Sequence, residues 1–195
     1  MTNFLKEIKF VAGIDYSLTS PAVCVAEIIN NEIKFENCKF HFLKQNKSHK
    51  SLGEVFLAYD YPEYEDDIER FSKLASWTIE CIRWFDDRAS EIYLEDYAFA
   101  ATGRVFHIAE NMGILKKQLK EDGFKYTTIP PTVIKKYASD KGNANKELMY
   151  ESFVSDTQRE LTKEFQTKCD KNPISDIVDS YWICKYGYEH GTNTR

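Results

Sequence analysis

Four acidic residues stand where their side chains could act together. Asp15 closes one apolar run (IKFVAGID) and Glu95 closes another (EIYLE). Asp176 and Asp179 lie three apart, a spacing that puts both on one face of a helix. Carboxylates gathered at one point repel one another and, left alone, take up protons or destabilise the fold. A divalent cation resolves that conflict, and an all-oxygen donor set suits Mg²⁺ or Mn²⁺ better than zinc. Two such ions about 4 Å apart can activate a water and stabilise the leaving oxygen in phosphodiester cleavage. In that chemistry the acids are metal ligands, not an acid/base pair. Each also has an ordinary reading: Asp15 as a turn residue, Glu95 as a solvated strand end, Asp176 as a helix N-cap. Their joint placement is what argues for a site.

The elements that must position them can be read from periodicity and turn residues. Residues 7–15 form a buried strand, Ser17–Pro21 a turn and Ala22–Ile29 a second strand; Asn30-Asn31 then turns the chain into a third, Glu32–Leu43. Short turns make these three an antiparallel meander. A polar loop near 44–53 precedes a helix over about 66–88, marked by Ile68, Phe71, Leu74, Ala75, Ile79, Ile82 and Phe85. Glu91–Glu95 is a fourth strand. Val105, Ile108, Ala109, Met112, Leu115 and Leu119 mark a helix ending near Gly123, and Lys125–Ile129 is a fifth strand stopped by Pro130-Pro131. Thr132 caps a short helix to about Ala138, Asn143 starts a longer one to about residue 166, and Ser175 or Asp176 opens a last one to about Tyr188. The expectation is an α/β protein, one domain over 1–195, with a mixed five-stranded sheet (three antiparallel strands, then two parallel) flanked by helices. That order resembles the RNase H-like fold, in which the first and fourth strands are neighbours and Asp15 and Glu95 would emerge side by side.

Composition narrows the classes. The chain of 195 residues has 43% hydrophobic and 29% charged residues, ordinary for a globular protein. No apolar run approaches the roughly 20 residues of a membrane span, and MTNFLKEIKF lacks an apolar h-region, so a cytosolic address is expected. Five scattered cysteines without CxxC spacing argue against a disulfide framework or a zinc ribbon and read as small buried residues. The net charge of −5 conceals an asymmetry. Glu54, Asp60, Glu63, Glu65, Asp66, Asp67 and Glu69 make one acidic stretch, while Lys116, Lys117, Lys120, Lys125, Lys135, Lys136, Lys141 and Lys146 concentrate elsewhere. A phosphate-facing side and an acidic side would account for both.

Four segments, in order, resemble the motifs of RuvC-like Holliday junction resolvases. GIDYSLTSPAVCV is similar to their opening strand, IYLEDYAF to their glutamate-ending strand, VIKKYASDKGNANKELM to their lysine-rich segment, and SDIVDSYWIC to their closing D-x-x-D helix. The resemblance implies that Asp15, Glu95, Asp176 and Asp179 bind catalytic Mg²⁺ or Mn²⁺, two ions per site. It implies that Lys135, Lys141 and Lys146, with Lys136 beside them, contact DNA, and that Lys146 assists as a fixed charge near the transferring phosphate. It also implies a homodimer making paired nicks in four-way junctions, with the helix carrying Phe106, Ile108, Met112 and Leu115 as a candidate contact. Tyr16-Ser17 replace the Pro-Gly of bacterial members. Ala98 occupies the place of their base-probing aromatic, flanked by Tyr97 and Phe99, either of which could stack on a base. Such departures fit a phage or other viral enzyme, at work in a bacterial or virus-infected cytosol.

Three other readings compete. One is an RNase H-like nuclease acting on flap DNA or RNA–DNA hybrid. Another is a non-catalytic DNA-binding domain of the same fold, which would be expected to lack an acid; none is missing. The third, a sugar-kinase or actin-like ATPase, needs a far longer duplicated chain and Gly-rich phosphate loops, whereas this chain has eight glycines and no such loop.

Overall fold

In a computed structural model, residues 10–45, 49–83, 89, 91–97 and 105–191 are described. Their elements run β1 (Phe10–Asp15), β2 (Ala22–Glu27), β3 (Cys38–Leu43), β4 (Phe56–Tyr59), α1 (Asp67–Ile82), β5 (Glu91–Glu95), α2 (Val105–Glu121), β6 (Tyr126–Ile129), α3 (Pro131–Ser139), α4 (Lys146–Thr157), α5 (Leu161–Phe165) and α6 (Ile174–His190). The sheet order is β4-β3-β2-β1-β5-β6. β1, β2 and β3 are antiparallel neighbours, whereas β5 runs parallel to β1 and β6 parallel to β5. This is the RNase H-like arrangement, with one strand more than expected.

The extra strand is β4, which pairs in parallel with the β3 edge through Phe40–Phe56 to Leu43–Tyr59. Phe56 turns into the core, but Leu57, Ala58 and Tyr59 are only half-buried, so the segment carries little apolar alternation to announce it. Two other expectations shift. The third strand begins at Cys38, because Phe35–Asn37 form a 3₁₀ turn that tucks Phe35 into the core. The helix expected through 166 breaks at Gln158, which adopts a left-handed conformation (φ 58°) and separates α4 from α5.

Helices cover both faces of the sheet, and strand parity assigns each residue its side. Val11 on β1, Ala22, Cys24 and Ala26 on β2, and Tyr93 on β5 join one core with α3, α4, α5 and α6. Phe10, Ala12, Ile14, Val23, Val25, Ile92 and Leu94 join the other core with α1 and α2. Asp15 and Glu95 continue the parity of Val11 and Tyr93, so both belong to the α6 side. Cys24, Cys38, Cys81 and Cys184 are buried and all five cysteines are unbridged, as expected of small core residues. Among the described residues no helix is long and apolar enough to cross a membrane.

Candidate functional site

The site forms at the carboxyl ends of β1 and β5. Their parallel register pairs Gly13 with Tyr93 and Ile14 with Leu94. The next residue on each strand is an acid, Asp15 and Glu95, so the two carboxylates stand beside one another where apolar burial ends. α6 then crosses this face in direct contact with the sheet. A Cβ on Gly13 would lie 2.2 Å from the amide nitrogen of Cys184, so only glycine lets the helix backbone come so close. This approach sets the first turns of α6 over the strand ends and delivers Asp176 and Asp179.

Pro173, rather than Ser175 or Asp176, occupies the N-cap of α6. Asp176 is thereby released from capping and is buried at 8% exposure. It accepts a hydrogen bond from the Ser175 hydroxyl at 3.2 Å. Asp15, Glu95 and Asp179 are half-buried.

The electrostatics tie the four acids together. Burial, then Asp179, Asp176 and Glu95, push Asp15 well above the ordinary aspartate range, against the pull of Lys146. Burial and Asp179 raise Glu95 to about 7, with Lys135 opposing. Burial and Asp179 also raise Asp176 to about 7, opposed by Ser20, Lys146 and Ser175. Asp179 rises to about 6 through burial, tempered by Lys146 and Lys135. Four carboxylates thus act on one another with only two opposing cations, leaving a deficit of positive charge. No three of the described histidine, cysteine or acidic side chains stand close enough to hold an ion without adjustment. The donor chemistry nevertheless fits a hard divalent cation: oxygen ligands only, in mutual repulsion.

Lysine placement separates into two groups. α3 carries Lys135, half-buried, and Lys136, exposed. The following turn is pinned by buried Ala144, and Asn145 caps α4 by accepting from the Leu148 amide at 3.0 Å. Lys146 is therefore the first residue of α4. Lys135 and Lys146 act on the acids; Lys136 and Lys141, both exposed, are not among the charges that do.

Tyr97 follows Glu95 but packs against the α1/α2 core, with the Lys116 ammonium 4.7 Å from its ring centroid. Phe99 and Ala98 lie outside the described residues. On α2, Met112 and Leu115 are core, whereas Phe106 is 79% exposed; of the four residues suggested for a dimer contact, two are thus consumed in packing. Sequence reasoning missed Ser20, buried at 5% exposure in the turn after β1 and among the groups that oppose the rise of Asp176; a serine in a polar turn is too common to single out.

No family model matches the chain, and no curated protein sequence matches it. Solved structures do. Thermus thermophilus RuvC superposes with a TM-score of 0.60 at 15% identity, over 95% of this chain and 97% of that one. The same protein in complex with Holliday junction substrate gives 0.62 at 14% identity, with the same coverage. Fowlpox virus resolvase with substrate Holliday junction DNA gives 0.55 at 12% identity, over 95% of this chain and 99% of that one. At these identities the likeness is one of fold. The chain has the RNase H-like fold in the form found in RuvC and the poxvirus resolvase, along almost its whole length.

Proposed function

We propose that this chain is a divalent-metal-dependent, structure-selective DNA endonuclease that resolves four-way junctions by paired nicks. The observation that carries the reading is the gathering of Asp15, Glu95, Asp176 and Asp179 on one face of the sheet, with Lys146 and Lys135 acting on them. The superposition on resolvases solved with Holliday junctions supports the choice of substrate.

Asp15, Glu95, Asp176 and Asp179 would hold Mg²⁺, with Mn²⁺ as a substitute, at up to two ions per site. When bound, such ions supply an activated water and stabilise charge on the leaving oxygen. The chain's own residues do the rest. Buried walls hold the carboxylates in place, and Lys146, at the capped start of α4, presents a fixed positive charge toward the scissile phosphate. Lys135, Lys136 and Lys141 extend the basic surface along the DNA backbone, where contacts are salt-sensitive. Tyr97 and Phe99 are the candidates for stacking on an unpaired base.

Paired nicks need two sites, so the reading includes a homodimer; exposed Phe106 on α2 is the apolar residue best placed to serve it. The bacterial and poxviral sources of the matching folds support a cytosolic role in a bacterium or an infected cell. The test is incubation with labelled four-way, flap, RNA–DNA hybrid and linear substrates, in Mg²⁺ or EDTA. Symmetric cuts in the four-way junction, abolished by EDTA, are expected. Preference for hybrid or flap would assign a different nuclease, and binding without cleavage in Mg²⁺ would assign a binding domain.

A further inference from the structure

The helical hydroxyls of Thr78, Ser139, Ser152 and Thr157 each donate to the carbonyl four residues back, a common use of such a group in a helix. Ser175, in the first turn of α6, is used differently. Its hydroxyl lies 3.2 Å from Asp176 Oδ1 and 3.3 Å from the side-chain oxygen of Asn172, so it stands between two side chains where the chain enters the helix. Ser175 is buried at 4% exposure, and its amide donates to the Lys171 carbonyl at 3.2 Å. Two residues on, the Ile177 amide donates to the Pro173 carbonyl at 3.0 Å, so the main chain around the hydroxyl is held as well.

We infer that Ser175 is a positioning residue for the metal site: its hydroxyl donates to Asp176 Oδ1 and fixes the orientation of that carboxylate. The hydroxyl has one proton for two neighbouring oxygens, and lone pairs to spare. Both contacts are satisfied when the Asn172 amide turns end for end, so that its Nδ2 donates to Ser175 Oγ and the hydroxyl proton is left to Asp176. The bonds then run in one direction, from Asn172 to Ser175 to Asp176. A group bonding a metal-binding carboxylate from outside sets its orientation, and losing such a group typically costs about 10–100-fold in metal affinity. The restraint is needed most at this acid. Asp15 and Glu95 end strands that are paired on both sides. Asp176 stands in the first turn of a helix whose N-cap, Pro173, makes no side-chain bond.

This inference rests on the metal-site reading above, and direct Mn²⁺ binding separates the two. Mn²⁺ affinity is measured by titration calorimetry on the full chain, beside the Mn²⁺ dependence of junction cleavage and the unfolding temperature. Ser175→Ala should weaken Mn²⁺ binding about tenfold and shift the half-saturating Mn²⁺ concentration for cleavage equally, with cleavage at saturating Mn²⁺ within about threefold of wild type. Asn172→Ala, which removes the donor behind Ser175, should weaken binding in the same direction by about threefold. Ser180→Ala is the control. It deletes a buried hydroxyl on the same helix that donates to the Ile177 carbonyl at 2.9 Å, and it should lower the unfolding temperature without moving Mn²⁺ affinity. Unchanged Mn²⁺ affinity in Ser175→Ala overturns the inference. So does an equal loss in Ser180→Ala, which would make the effect one of stability alone. If Asp15→Asn binds Mn²⁺ as wild type does, the metal-site reading itself has failed and the inference falls with it.

Discussion

Gly13 on β1 touches the backbone of α6 at Cys184: a Cβ there would lie 2.2 Å from the Cys184 amide nitrogen and 2.5 Å from the Ser180 carbonyl oxygen. Both contacts are main chain, so no side-chain rotation can relieve them. Gly13→Ala should therefore force α6 away from the sheet and destabilise the protein by about 3 kcal/mol. Gly113, on the exposed side of α2, has nothing within 4 Å of its Cβ position, and Gly113→Ala should stabilise by about 0.5–1 kcal/mol. Urea denaturation of both variants checks the contrast; a neutral Gly13→Ala would refute the close packing that sets the acids.

The crowded acids make a prediction about the metal-free protein. Glu95 and Asp176 are raised to about 7 and Asp179 to about 6, so the folded chain holds more protons than the unfolded chain between about pH 4 and 7. Stability from these groups is therefore fully retained below about pH 4 and falls as pH rises toward 7. Asp176→Asn removes one like charge and should raise the unfolding temperature of the metal-free protein at pH 7.5, with less effect at pH 5. Mg²⁺ should stabilise wild type more than the variant at pH 7.5. Thermal melts with and without Mg²⁺ decide; a variant less stable than wild type at pH 7.5 without metal would contradict the repulsion.

His41 on β3 makes the opposite contribution. Burial, then Lys39, lower it to about 4, and its Nδ1 pairs with the Tyr59 hydroxyl at 2.9 Å. Below pH 6.5 the unfolded chain takes up a proton that the folded chain refuses, so stability is lost as pH falls from 6.5 toward 4. His41→Asn should flatten this limb, and the difference between variant and wild type cancels the carboxylate contribution. Parallel pH profiles of the two proteins would show that His41 does not titrate as described.

Lys146 and Lys116 offer a paired test of the basic side. Lys146 acts on Asp15, Asp176 and Asp179, whereas Lys116 lies over the Tyr97 ring. Lys146→Ala should slow cleavage about 100-fold or more at saturating DNA, and Lys116→Ala should change it little. Both rates are compared at one fixed salt concentration, because phosphate contacts weaken with salt. Equal losses would reduce Lys146 to one phosphate contact among several.

Much of this architecture is legible in the sequence, for physical reasons that differ by element. β1 and β5 announce themselves because buried apolar runs end abruptly in acids, and the three-residue spacing of Asp176 and Asp179 needs only helical geometry. β4 is hidden because an edge strand with one core residue has no strong period, and the break at Gln158 because a non-glycine residue takes the left-handed conformation. Asp176 is misread as a capping residue when only local spacing is weighed; its burial depends on α6 returning to β1. The bond from Arg70 to Leu18 links residues far apart in the chain, and no local pattern records it.

The central claim is that the four acids form one metal-dependent nuclease site. Its most direct test is the rate of Mg²⁺-dependent cleavage of a labelled four-way junction by wild type and Asp15→Asn, with junction binding measured in parallel. Wild type should cleave, the variant should lose at least about 1,000-fold in rate, and junction affinity should stay nearly unchanged. Undiminished nicking by Asp15→Asn would contradict it.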